Sequence, residues 1–371
     1  MRVMPRSGLP GRLLSGLFLA LLFALALTWP ARTLAEDQTV SAQRLYQQHC
    51  ASCHGEQRFG GTGPALLPES LGRIKRDQAT DIIANGRPAS QMLAFADVLD
   101  PADIDALVEY LYTPADQPPD WTAQDIAAHH QMLDDTSQAD DTPVHDADPM
   151  NLFVVVESGN HHVHIMDGDR FEIVSSFESH FALHGGPKFT PDGRYVYFAS
   201  RDGWISKYDL HRLTMVAETR AGLNTRNLAV SSDGRWVMVG NYLPGNLVLL
   251  DARDLSLLDV IPARGQDGTD SRVSAVYTSP DRESFVVALK DTPEVWEFGY
   301  ARGRRPDTEP RRIIAQDLLD DFSFTPEHRY LLATSRKAHG GQVIDMESGE
   351  VVIDIPLPGM PLMGSGIYWE H

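Results

Sequence analysis

Thr190-Pro191-Asp192-Gly193-Arg194-Tyr195-Val196-Tyr197-Phe198-Ala199 and, 41 residues on, Ser231-Ser232-Asp233-Gly234-Arg235-Trp236-Val237-Met238-Val239-Gly240 decide the fold. Each stretch is a hydroxyl residue, an Asp-Gly turn, an arginine and then a run of β-branched, aromatic and other apolar residues, which reads as a tight turn feeding a buried strand. Weaker copies begin at Ser279-Pro280-Asp281 and Thr325-Pro326-Glu327, so the turn acids Asp192, Asp233, Asp281 and Glu327 stand 41, 48 and 46 apart. In the first two units a further strand ends in an acid, Ile205 to Asp209 and Leu247 to Asp251. A period in the forties with several strands per unit is the pattern of β-propeller blades. The β-rich units exclude a helical solenoid. The 221 residues from Asn151 to His371 hold only four to five such units, so a partial propeller is expected over 151–371.

The texture before Asn151 is different. Val40 to Tyr112 has helical periodicity, closed by a helix that Asp100-Pro101 starts and that carries Leu107, Val108, Tyr110 and Leu111. Gly60-Gly61-Thr62-Gly63-Pro64 interrupts it as loop. A polar linker is expected over 116–150, in which Trp121–Met132 could form a helix. The first 35 residues carry Arg2, Arg6 and Arg12, an apolar run from Leu13 to Leu27, and the small-x-small Thr33-Leu34-Ala35. These are the parts of a cleaved export signal, and they predict a periplasmic product with no stable membrane span after cleavage. The whole chain has 32 Lys+Arg and 51 Asp+Glu, a net charge of −19. Loss of the four arginines of the leader takes it to 28 − 51 = −23. So acidic a protein lacks the basic face that nucleic acid requires.

Within the helical segment, 36–115, the chemistry is concentrated in Cys50-Ala51-Ser52-Cys53-His54. Two thiols at this spacing can form thioethers with haem vinyl groups, and the adjacent imidazole can bind the iron. A thioredoxin-like pair would need a βαβ setting, and a zinc site would need further ligands although the chain has only two cysteines. A covalent haem c in an all-α, class I cytochrome c domain is therefore expected, held by Cys50 and Cys53 with His54 on the iron. Ser90-Gln91-Met92-Leu93-Ala94-Phe95 is similar to the Met-Pro-Ala-Phe loop of class I cytochromes, with Leu93 in place of the proline. Met92 is thus the candidate sixth ligand, against the plainer reading of a core gap-filler.

In the β region, His184 is followed by Gly185-Gly186, which lets a planar group approach the backbone. Arg201, Arg226 and Arg272 recur near blade strands, where they could clamp carboxylates or simply form ion pairs in an acidic protein. His162 and His164 share a strand face, but no carboxylate or thiol partner is evident in sequence, which favours a solvated face.

Longer stretches carry a resemblance. Leu183-His184-Gly185-Gly186-Pro187-Lys188-Phe189, Ser200-Arg201-Asp202-Gly203-Trp204-Ile205, Arg220 to Asn227, Gly240 to Pro244, Ser271 to Tyr277 and Ala288 to Asp291 resemble the d1-haem propellers of the cytochrome cd1 type. The order of cytochrome c then propeller, with Gly63-Pro64-Ala65-Leu66-Leu67-Pro68, is similar to the dihydro-haem d1 dehydrogenase branch. The resemblance implies that His184 is the proximal d1-haem ligand. It also implies that Arg201, Arg226 and Arg272 meet the macrocycle's carboxylates and that Tyr242 lines the pocket. It further implies oxidation of a propionate of dihydro-haem d1 to an acrylate, with electrons passing to haem c and on to an external acceptor. A non-catalytic haem carrier or electron-transfer protein is the alternative, and a nitrite reductase-like activity a third. The partners implied are a tetrapyrrole substrate and the d1-haem enzymes of the nitrite reductase system. In the Met360-Pro361-Leu362-Met363-Gly364 stretch, Leu362 stands where the family carries a histidine, and the propeller is expected to be shortened at its C-terminal end.

Overall fold

The computed structural model describes residues 41–357, apart from Thr62, Arg73, 88–91, 116–118, 136–141, Ser158 and 336–339. The expected leader (1–35) and the Met360–Gly364 stretch with Leu362 lie outside the described residues.

The N-terminal domain is helical, in the order α1 (41–49), α2 (Ala51–His54), α3 (Arg76–Asn85) and α4 (Pro101–Leu111). Asp100 caps α4 by accepting from the Asp103 amide at 2.9 Å, with Pro101 in its first turn. The apolar side of α4 (Ile104, Leu107, Val108, Leu111) meets Tyr46, Leu71, Ala79, Ile83 and Leu99 in a small core.

Trp121–Met132, within the stretch expected as a linker, is built into the next domain. Thr122 and Asp125 form a capping box that starts α5 (Ala123–Ala128). The helix stops there, and β1 (Gln131–Met132) follows instead of the longer helix that the sequence allows. Trp121 and Ile126 are buried in the propeller core, which removes far more apolar surface from water than a solvated linker would.

Five antiparallel sheets follow. The first holds β2 (Leu152–Glu157), β3 (His162–Asp167) and β4 (Ile173–Glu178). The second holds β5 (Lys188–Phe189), β6 (Tyr195–Ala199), β7 (Trp204–Asp209) and β8 (Thr214–Arg220), with β1 added along β8. The third runs β9 (Asn224–Val230), β10 (Trp236–Leu243), β11 (Asn246–Asp251) and β12 (Leu257–Pro262). The fourth runs β13 (Val273–Ser279), β14 (Ser284–Leu289), β15 (Glu294–Gly299) and β16 (Arg311–Ile314). The fifth runs β17 (Asp321–Phe324), β18 (Tyr330–Ser335), β19 (Gly340–Asp345) and β20 (Glu350–Pro356).

Apart from the added β1, every sheet is a meander, and the first strands β5, β9, β13 and β17 neighbour one another in sequence order, as the inner strands of successive blades do. The core is accordingly a series of slabs between consecutive sheets. Val163 and Ile165 meet Val196 and Phe198; Leu228 and Val237 meet Tyr197 and Ile205; Val276 and Phe285 meet Met238 and Leu249; Phe322 and Leu331 meet Val286 and Val295.

The repeat works through its turn. Asp192 accepts from the Thr190 hydroxyl at 2.5 Å and from the Arg194 amide at 3.1 Å, and Asp233 makes the same pair of bonds to Ser231 and Arg235. Gly193 and Gly234 close these turns at φ of 71° and 70°; in the weaker copies His328 takes the same position at 49°, and Glu283 reaches 43° one residue later. Arginines of three turns reach acids of the third strands: Arg194 to Asp209 and Arg329 to Asp345 at the strand ends, and Arg282 to Glu297 within β15. This explains the acid at Asp209; Asp251 of the next unit accepts from Arg253 instead.

Candidate functional site

His54, at the end of α2, is the best-defined functional group of the helical domain. Its ring is buried, and Nδ1 donates to the Pro64 carbonyl at 2.8 Å, so Nε2 keeps its lone pair. Burial lowers its pKa and holds it neutral, the form that binds a metal. A Cβ on Gly63 would come within 2.7 Å of the ring, so only glycine admits this packing. Cys50 and Cys53 are both free thiols, and burial beside Cys53 pushes the Cys50 thiol up to about 11. Cys50, Cys53, His54 and Met92 line one cavity with Leu71, Leu99 and Leu107. Two adjacent thiols, a neutral imidazole with its lone pair free and a thioether in an apolar hollow fit a covalently bound c-type haem.

That cavity, about 1100 Å³, does not stop at the domain boundary. Its far side is propeller: His161, Glu178, His180, Arg201, Asp202, Tyr242, Arg272 and Lys290. The lining holds Arg201, Tyr242 and Arg272 together, but not His184 or Arg226. Arg272 donates to both oxygens of Asp291, at 2.8 and 2.6 Å, and its guanidinium carbon stands 5.4 Å from the centre of the Tyr242 ring. The nearby Asp202 carboxyl is pushed up by burial; it accepts from the Ser200 hydroxyl, while its Oδ2 is buried without a partner.

His184 precedes β5, and its amide donates to the Ala199 carbonyl at 2.8 Å. Its Nδ1 donates to the Arg226 carbonyl at 2.8 Å, which leaves Nε2 as the acceptor nitrogen. Gly185 is required beside it, because a Cβ there would stand 2.5 Å from that of Asn227. Arg226 Nη1 lies against the ring, 2.9 Å from Nδ1 and 3.3 Å from Nε2, while Nη2 is paired with Asp321 at 3.3 Å. Asp321 accepts from the Tyr277 hydroxyl at 3.0 Å, and burial raises its pKa. Lys188 donates to the Gly185 carbonyl at 2.7 Å, and burial lowers its pKa. The expected residues thus fall into two groups, and Arg226 and Arg272 each already hold a carboxylate. Asp291 lies in one of the stretches that carry the resemblance but was not singled out as a site residue, and Asp321 had no sequence signal, since it reaches Arg226 only across separate sheets.

His162 and His164 do share a face, but a carboxylate partner exists. Glu157 on the neighbouring strand β2 stands 3.1 Å from His164 Nε2, and Ser176 lies 2.8 Å from Nδ1. The sequence hid it because Glu157 becomes a neighbour only through the β2–β3 register. Among the described residues no group of three or more metal-binding side chains is assembled, and no helix is long and apolar enough to cross a membrane.

Comparison with known proteins identifies both halves. The family described as Cytochrome D1 heme domain matches residues 147–371, and that described as Cytochrome C oxidase, cbb3-type, subunit III matches 37–111. The chain is 60% identical over 350 residues to a dihydro-heme d1 dehydrogenase of Pseudomonas aeruginosa, an alignment that covers 94% of this chain and 71% of that protein. It is 26% identical over 361 residues to a nitrite reductase of Stutzerimonas stutzeri, covering 91% and 64%. A solved structure, dihydro-heme d1 dehydrogenase NirN in complex with DHE, superposes with a TM-score of 0.84 at 61% identity, covering 89% of this chain and 70% of that one. With one family spanning its larger part and a relative this similar over nearly its whole length, the chain belongs to the cytochrome d1 haem-domain family, in the dihydro-haem d1 dehydrogenase branch.

Proposed function

We propose that this protein binds dihydro-haem d1 as its substrate and oxidises one propionate side chain to an acrylate in the maturation of haem d1, in the periplasm. The observation that carries this reading is the single cavity running from Cys50, Cys53, His54 and Met92 to Arg201, Tyr242 and Arg272. Converting –CH2–CH2– to –CH=CH– releases two protons and two electrons. A covalent haem c supplies a one-electron acceptor beside the substrate and an outlet to an external acceptor.

The chain's own groups bind and orient. His184 presents Nε2 to the macrocycle's iron, with its ring direction fixed by the bond from Nδ1 to the Arg226 carbonyl. Arg201, Arg226 and Arg272 receive carboxylates, and Arg226 gives up its place over the His184 ring as the substrate enters. Asp291 holds the Arg272 guanidinium by Nε and one terminal nitrogen, so its remaining edge faces the incoming carboxylate in a fixed direction. Tyr242 lies against that guanidinium and closes the pocket wall.

The test is anaerobic incubation of the haem c-loaded chain with dihydro-haem d1, followed by mass and absorbance analysis of the extracted tetrapyrrole. Loss of two hydrogens per macrocycle, matched by reduction of two equivalents of haem c because each takes a single electron, is the expected result. Tetrapyrrole recovered bound and unchanged would replace this reading with a carrier function.

A further inference from the structure

The haem c loop does not touch the propeller at random; it is held by one buried guanidinium. Arg220, the last residue of β8, donates through Nη2 to the Phe59 carbonyl at 2.5 Å and through Nε to the Asp202 carbonyl at 2.9 Å. Its guanidinium carbon stands 4.8 Å from the centre of the Trp121 ring, and the Trp121 indole N–H donates to the Arg220 carbonyl at 2.8 Å. Only 5% of Arg220 is exposed. Such a cation costs free energy to bury, and burial lowers its pKa, so its position needs a compensating purpose. Gly60 is shaped to it: a Cβ there would stand 3.0 Å from Nη2, and the residue has a φ of +86°.

The segment it grips is the one that positions His54. The Gly60 amide donates to the His54 carbonyl at 2.8 Å, and the Pro64 carbonyl takes the His54 Nδ1 proton. On either side, Phe59 packs on the propeller core and Leu67 is fully buried within it. At its other end Arg220 holds the turn that carries Arg201 and Asp202, both in the wall of the shared cavity.

We infer that Arg220 is an interdomain positioning residue, a propeller cation that locks the 59–67 loop and thereby fixes the His54 imidazole relative to the Arg201–Asp202 turn. The inference rests on the c-type haem at His54 and is independent of which tetrapyrrole the propeller takes. It assigns Arg220 no contact with either macrocycle.

The experiment compares the haem c-loaded full chain with Arg220→Gln and Arg220→Lys, by amide hydrogen exchange and by the midpoint potential of haem c. In Arg220→Gln, exchange across 59–67 is expected to rise by about tenfold or more while β10 and β11 keep wild-type protection. The potential is expected to fall, because a buried positive charge near the loop has been removed. Arg220→Lys restores the charge but not the planar fork, so it recovers the potential more fully than the protection. Wild-type protection of 59–67 or a wild-type potential in Arg220→Gln overturns the inference. Should that variant fail to fold, Trp121→Phe removes the indole bond to Arg220 and serves instead. A smaller rise in the same peptides supports the clamp, and no rise overturns it.

Discussion

Five consecutive residues, Cys50 to His54, carry three of the four groups expected to hold the covalent haem, whereas the groups around His184 come from four separate strands. Lys188 belongs to β5, Arg226 to β9, Tyr277 to β13 and Asp321 to β17. The first site is local and apolar, with Gly63 giving way to the ring of His54, which burial keeps neutral. The second is distributed and highly charged. Arg226 is largely covered and would be costly to bury unpaired, and the fold supplies Asp321 to it in advance; the more exposed Arg272 is likewise held by Asp291. The contrast teaches that attachment can be written in a motif, while recognition of a carboxylate-rich macrocycle is written in the geometry between blades.

The largest effect that would break this contrast lies in the local site. Cys50→Ala is expected to remove one of the two thioether bonds, and Cys50→Ala with Cys53→Ala to abolish covalent haem altogether, read by intact mass after expression with a c-haem maturation system. A double variant that still carries covalent haem would show that the motif is not the anchor. In the distributed site, His184→Ala is expected to weaken d1-type tetrapyrrole binding by about a hundredfold or more, followed by absorbance titration. Equal affinity would remove His184 from the site.

A smaller change sharpens the role of the advance pairing. Asp291→Asn leaves Arg272 in place but loosens its orientation, and an approximately tenfold loss of tetrapyrrole affinity is expected. Tighter binding would mean that Asp291 competes with the substrate's carboxylate and does not aim the guanidinium. The smallest effect belongs to the histidine face of the first sheet. Glu157→Gln weakens an exposed pair with His164 that solvent largely screens, and should leave the thermal melt close to wild type with both macrocycle sites unaltered. A change in tetrapyrrole affinity would turn that solvated face into part of a site.

How much of this was legible in the sequence follows the same division. The Asp-Gly turns gave away the blades because Asp192 and Asp233 bond to their own neighbours, and such bonds need only local sequence. Cys50 to His54 and the cap at Asp100 were readable for the same reason. The stretch 116–150 looked like linker because its composition is polar. Two of its buried residues, Trp121 and Ile126, act through a core assembled from the second and third sheets, which no local pattern reveals. Asp291, Asp321 and Glu157 became partners only when strands aligned, and Arg220 meets Phe59 across 161 residues of chain.

The shared cavity is the claim on which the functional account turns, and single-turnover stopped-flow spectroscopy tests it most directly. Haem c-loaded protein in the oxidised state, mixed anaerobically with dihydro-haem d1 at saturating concentration, should show haem c reduction at a rate independent of protein concentration. Such first-order behaviour means that the electron crosses within one molecule. A rate that rises in proportion to protein concentration, or tetrapyrrole binding with no reduction of haem c, would contradict it.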